Sequence, residues 1–123
     1  MAYELDGIMQ IEYDELQKLV DRKSELAPII IDVRELEEYN EGHIPTVPLL
    51  PMHSIPPVIE HLDKDKEYIF VCRSGSRSQH VALYLKQNGF DKVNNYAGGM
   101  LGWEGPIATG EENVVKEISD LYK

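Results

Sequence analysis

Residues 68–88 begin with Tyr68-Ile69-Phe70-Val71-Cys72, pass through Arg73-Ser74-Gly75-Ser76-Arg77-Ser78, and continue as QHVALYLKQN up to Gly89. The opening run is apolar without alternation, the pattern of a strand buried on both faces of a parallel sheet. Residues 76–88 carry Val81, Tyr84 and Leu85 at helical spacing, and Gly89 suits the residue after a helix. Strand, tight polar turn and helix thus follow one another without a linker. A second continuous run, Pro28-Ile29-Ile30-Ile31-Asp32-Val33, predicts another interior strand.

Weaker strands are expected at 7–12, 47–50 and 92–96. Helices are expected at 13–22, with Leu16, Leu19 and Val20 on one side, and at 54–62, capped by Ser54 with its prolines in the first turn. A last amphipathic helix is expected at 111–122, with Val114, Val115, Ile118 and Leu121 on one stripe that packs on the domain or on a second copy of it. Strands alternating with helices predict an α/β fold: a central parallel sheet of about five strands with helices on both faces. In such folds ligands sit beyond the carboxyl ends of the strands, and Cys72 lies at one of those ends.

The 123 residues suit one domain spanning the chain, with 42% apolar and 28% charged residues, as in soluble globular proteins. A net charge of −10 leaves no basic stripe for a nucleic-acid backbone. The acid concentrates in Glu35-Leu36-Glu37-Glu38 and Glu111-Glu112, read as solvated helix faces or as a docking patch for a basic partner. No apolar stretch approaches the roughly 18 residues of a membrane span. The start, MAYELDGIMQ, lacks a basic region followed by an apolar core, so no secretory signal is expected. The single cysteine permits no intrachain disulfide and fits a reducing, cytoplasmic setting. His43, His53, His61 and His80 show no ligand pairing, so no metal site is expected.

Cys72 could be a small buried hydrophobe and nothing more. Its surroundings argue otherwise. A compact loop between a strand end and a helix start can aim successive N–H groups at one point, and the helix adds about half a positive charge there. Gly75 permits backbone angles that let the loop curl around the sulfur, while Arg73 and Arg77 supply full charges for an anionic ligand. Such settings favour a thiolate over a thiol, making Cys72 a candidate nucleophile.

Four segments in order resemble the rhodanese (sulfurtransferase) domain: Asp32-Val33-Arg34 with Glu38-Tyr39 and Gly42-His43-Ile44-Pro45; the loop from Val71 to Ser78; Tyr96-Ala97-Gly98-Gly99; and Trp103. The resemblance covers about residues 7–108 and implies a three-layer rhodanese-like fold. It also implies a reaction in which a cysteine thiolate takes sulfur from a donor such as thiosulfate and passes it on from a persulfide. Carried onto this chain, Cys72 is the sulfur carrier, and Arg73, Ser74, Gly75, Ser76, Arg77 and Ser78 form the amide cradle. Arg77 closes the loop and Arg73 meets the donor anion. Asp32 and Arg34 hold neighbouring loops; their alternative reading is a helix cap and an exposed ion pair.

The resemblance implies no metal or organic cofactor. The partners it implies are a small anionic sulfur donor and an external acceptor, either a cyanide-like nucleophile or a thiol, which can be a protein's. The alternative is a rhodanese-like binding or sulfur-relay module with little turnover. Phosphatase and arsenate-reductase relatives of the fold carry five residues between cysteine and arginine, where this chain carries four, so an oxyanion reaction is the weaker alternative. The chain departs from the family after Pro45, with Thr46 and Val47 in place of glycine and alanine. Pro48 follows and predicts an edge position for 47–50. Trp103, Tyr39 and Gly98-Gly99 read as packing and turn residues.

Overall fold

Asp6 and Gly7, both at positive φ (54° and 83°), turn the chain between β1 (Tyr3–Leu5) and β2 (Ile8–Ile11), the backbone habit of a two-residue hairpin. Then follow α1 (Tyr13–Val20), β3 (Ile29–Asp32), α2 (Leu36–Glu41), β4 (Tyr68–Val71), α3 (Ser76–Gln87) and β5 (Val93–Tyr96). The computed structural model describes residues 3–20 and 27–122; the last two residues of the helix expected at 13–22 lie outside them.

The sheet runs β1-β2-β5-β4-β3. β2, β5, β4 and β3 are parallel, and β1 is antiparallel at one edge. The sheet is therefore mixed rather than wholly parallel, because the Asp6-Gly7 turn returns the chain directly onto its neighbour. Both faces are covered. Ile31, Phe70, Cys72 and Val93 pack with Val81, Ala82 and Leu85 of α3, whereas Ile30, Ile69, Val71 and Tyr96 pack with Leu16 of α1. Alternate residues of each strand serve opposite cores, which is why β3 and β4 read as unbroken apolar runs. No helix among the described residues is long and apolar enough to cross a membrane.

Residues 47–50 do not form a strand. Leu49 makes isolated bridges to Asp32 on one side and Val114 on the other. Asp32 N–H donates to the Pro48 carbonyl and Leu50 N–H to the Asp32 carbonyl, both at 2.9 Å, outside β3. Pro48 has no N–H with which to extend that ladder.

The expected helix at 54–62 is instead a pair of 3-10 segments, Met52–Ser54 and Pro56–His61. Ile55, not Ser54, precedes the second, whose first positions are the two prolines. The expected helix at 111–122 is reduced to a 3-10 turn, Ile118–Tyr122. Here Leu49 N–H donates to the Asn113 carbonyl and Val115 N–H to the Leu49 carbonyl, so long-range pairing takes the groups a helix would use. The apolar stripe still packs on the domain: Leu121 is buried, with Val115 and Ile118 against the same core. Tyr84 of α3, at helical spacing with the buried Val81 and Leu85, is exposed.

Candidate functional site

The parallel register of β3, β4 and β5 brings their carboxyl ends together, and Cys72 is the first residue beyond β4. Its side chain is fully buried. Two donors reach its sulfur: the Gly75 N–H at 3.1 Å and the Ser78 hydroxyl at 3.2 Å. Gly75 takes φ 92° at the N-cap of α3, and a Cβ there would collide with the Ala97 carbonyl oxygen. Glycine is therefore required both for the left-handed backbone and for the close approach. Ser78 lies in the first turn of α3, where backbone N–H groups lack an intrahelical acceptor and the helix dipole is positive.

The segment after β5 pins this loop from above. Met100 N–H donates to the Cys72 carbonyl at 2.8 Å, and Leu101 N–H to the Arg73 carbonyl at 3.0 Å. Gly99, at φ 59°, leaves no space for a side chain because the Arg73 backbone lies against it. Within the loop Arg73, Ser74 and Ser76 are exposed, Arg77 is half-buried, and Gly75 and Ser78 are buried. The loop thus buries the atoms that touch the sulfur and exposes a rim bearing the Arg73 cation.

Arg77 does not point freely at this rim. Its two Nη groups donate to the two carboxylate oxygens of Glu38 at 2.7 and 2.8 Å. The bond from Arg77 holds the Glu38 carboxyl down at about 2, well below its usual 4.5. Arg34 supports the same helix from behind. Buried with Asp32, it donates Nε to Oδ1 at 3.0 Å and Nη2 to Oδ2 at 2.8 Å, and further to the Gly42 carbonyl at 2.8 Å. Asp32 and Arg34 therefore form a buried, forked ion pair rather than a helix cap and an exposed one. Asp32, Arg34, Glu38 and Arg77 link β3 through α2 to the cysteine loop.

His43 stacks on Tyr39 at 3.7 Å and contacts the Tyr39 carbonyl and the Glu112 carboxylate, both at 2.9 Å. It belongs to the packing of the 42–45 turn, as does Tyr39, whose hydroxyl donates to the Val47 carbonyl at 2.7 Å. Trp103 packs edge-on against Tyr13 and donates to the Pro106 carbonyl at 2.8 Å. No cluster of three or more metal-ligating side chains occurs among the described residues. A cleft of about 720 Å³ lies between residues 50–61 and 115–122 and includes no residue of the cysteine loop.

Residues 12–106 match the family model described as "Rhodanese-like domain". The chain belongs to the rhodanese-like family. It is 48% identical over 98 residues to the putative sulfurtransferase YtwF of Bacillus subtilis, covering 80% of this chain and 92% of that protein. It is 37% identical over 79 residues to the thiosulfate sulfurtransferase GlpE of Pseudomonas syringae, covering 64% and 74%. The crystal structure of a rhodanese-like domain protein from Staphylococcus aureus superposes with a TM-score of 0.70 at 38% identity, covering 82% of this chain and 97% of that one.

Glu38 was legible in this rhodanese-like sequence only as part of a Glu-Tyr pair and an acidic helix face. Its partnership with Arg77 spans 39 residues and has no local signature. Gln10 carries a local signal, a polar amide in the otherwise apolar β2, whereas Gln79 and Asn95 stand beside other polar residues; all three are buried.

Proposed function

We propose that this protein is a sulfurtransferase in which Cys72 carries sulfur as a persulfide. The observation that carries this reading is the environment of one atom: Cys72 Sγ, at the carboxyl end of a central strand, faces the Gly75 N–H and the Ser78 hydroxyl at the start of α3. Those donors stabilise negative charge on Cys72 Sγ, both in the attacking thiolate and in the thiolate that leaves when the acceptor takes the outer sulfur.

The thiolate attacks the outer sulfur of thiosulfate, the S–S bond of the donor breaks, and sulfite departs with the electron pair. The new terminal sulfur stays within the loop as Cys72–S–S⁻. An acceptor, cyanide or a thiolate, then attacks that outer sulfur, the bond to Cys72 breaks, and the thiolate is restored. No net oxidation or reduction of the protein occurs over the cycle.

Arg73, exposed on the rim, meets the anionic donor, while Arg77, held by Glu38, keeps the loop closed. Only one cysteine exists in the chain, so the persulfide cannot be resolved by an internal disulfide and the acceptor comes from outside. The buried position of Cys72 favours small donors over bulky ones.

The test is thiosulfate-dependent conversion of cyanide to thiocyanate. Turnover by the wild type and none by Cys72→Ser supports the assignment. Equal rates for the two proteins reject it.

A further inference from the structure

Behind the cysteine loop, on the α3 side of the sheet, three buried amide side chains form a directed chain. Gln79 Nε2 donates to the Leu5 carbonyl at 3.1 Å, and Gln10 Nε2 donates both to the Ile8 carbonyl at 3.0 Å and to Gln79 Oε1 at 2.7 Å. Asn95 Nδ2 donates to Gln10 Oε1 at 2.9 Å and to the Gly75 carbonyl at 3.0 Å. The Leu5 and Ile8 carbonyls can only accept, so they orient the two glutamine amides. The oxygen that Gln10 then presents orients Asn95, so that its NH₂ faces the loop.

The chain carries a stability cost. Asn95 Oδ1 is buried without a hydrogen-bond partner, which is a cost rather than a gain. Apolar side chains in these places would leave no such orphan. The chain ends on the carbonyl of the residue whose own N–H touches the sulfur. Gly75 is also the N-cap of α3 and accepts from the Gln79 N–H at 3.2 Å, so the Asn95 bond adds a second constraint to the same peptide.

We propose that Asn95, oriented through Gln10 and Gln79, is a positioning residue that holds the Gly75 carbonyl and thereby, across the Gly75 Cα, aims the N–H of the preceding peptide at Cys72 Sγ. The sheet edge β1–β2 thus sets the geometry of the sulfur cradle. This rests on the persulfide reading for its kinetic consequence, but not for its structural one.

The experiment compares wild type with Asn95→Leu and with the triple variant Gln10→Met/Gln79→Leu/Asn95→Leu, which empties the network of polar groups. Each protein is followed by amide NMR at Gly75, thermal unfolding, and persulfide formation from thiosulfate. The proposal expects at least one variant to unfold cooperatively while its Gly75 amide proton moves upfield as the N–H···S bond loosens. In that variant the maximal rate of persulfide formation falls between roughly tenfold and a hundredfold, with KM for thiosulfate held within about twofold.

An unmoved Gly75 resonance in a folded variant overturns the proposal. So does a moved resonance with unchanged kinetics, and so does loss of folding in both variants, which would make the network structural only. If wild type takes up no sulfur while the Gly75 resonance moves in the variants, the tether stands and the persulfide reading is what fails.

Discussion

Arg77 and Glu38 form a two-pronged ion pair, with both Nη groups on both carboxylate oxygens. This pair joins the first turn of α3, which carries the cysteine loop, to α2, which the buried Asp32–Arg34 pair holds by its carbonyls. The arginine that ends the loop therefore acts as a strut. Under the proposed reaction, Arg73, exposed on the rim of the loop, is the cation that meets the anionic donor.

The strut has a pH signature. Glu38 has its folded-state pKa lowered to about 2 from 4.5, chiefly by the Arg77 bond. A carboxyl shifted downward stabilises the fold above its unfolded pKa, and that contribution is lost as pH falls from 4.5 towards 2. Because the pair is partly open to solvent, Glu38→Gln should destabilise the protein by only about 1 kcal/mol at pH 7. The difference from wild type should shrink as pH falls through that window. Urea denaturation of both proteins at several pH values measures it.

Ser78→Ala removes the hydroxyl that donates to Cys72 Sγ and leaves the helix intact. The expected result is a loss of about 1.4 kcal/mol of transition-state stabilisation, roughly tenfold in the rate of persulfide formation, with stability little changed. Stopped-flow kinetics with thiosulfate, set beside a thermal melt, gives both quantities.

Gly75→Ala meets two obstacles at once, the left-handed φ of 92° and the Ala97 carbonyl. Backbone strain of this kind costs on the order of 1–3 kcal/mol, and a loop shift that relieves it disturbs the Gly75 N–H contact with sulfur. Reduced stability and a loss of activity larger than that of Ser78→Ala are expected, measured by the same two assays.

Asp32 and Arg34 are buried together, so removing one leaves the other uncompensated. Asp32→Ala or Arg34→Ala should each destabilise by roughly 3–5 kcal/mol, and the double variant by clearly less than their sum. A double-mutant cycle in urea checks the coupling.

The interior strands were readable because β3 and β4 are sandwiched between two cores, and that burial leaves continuous apolar runs. The surroundings of Cys72 were readable because Gly75 and Ser78, which donate to its sulfur, lie within six residues of it, so these contacts are local. The hairpin of β1 and β2 had a signal in Asp6-Gly7, the pair suited to a two-residue turn. The tail was misjudged for a physical reason: Val114 and Val115 sit at helical spacing, but backbone pairing with Leu49 decides their conformation. Glu38 and Asn95 take their meaning from residues 39 and 20 positions away, and no window of sequence displays that.

The central claim is that Cys72 holds the transferred sulfur. Intact-protein mass spectrometry after incubation with thiosulfate, and again after added cyanide, tests it most directly. The account predicts a gain of one sulfur atom, mapped to Cys72 and absent from Cys72→Ser, that cyanide removes as thiocyanate. A wild-type protein that takes up no sulfur from thiosulfate or from a mercapto acid would contradict it.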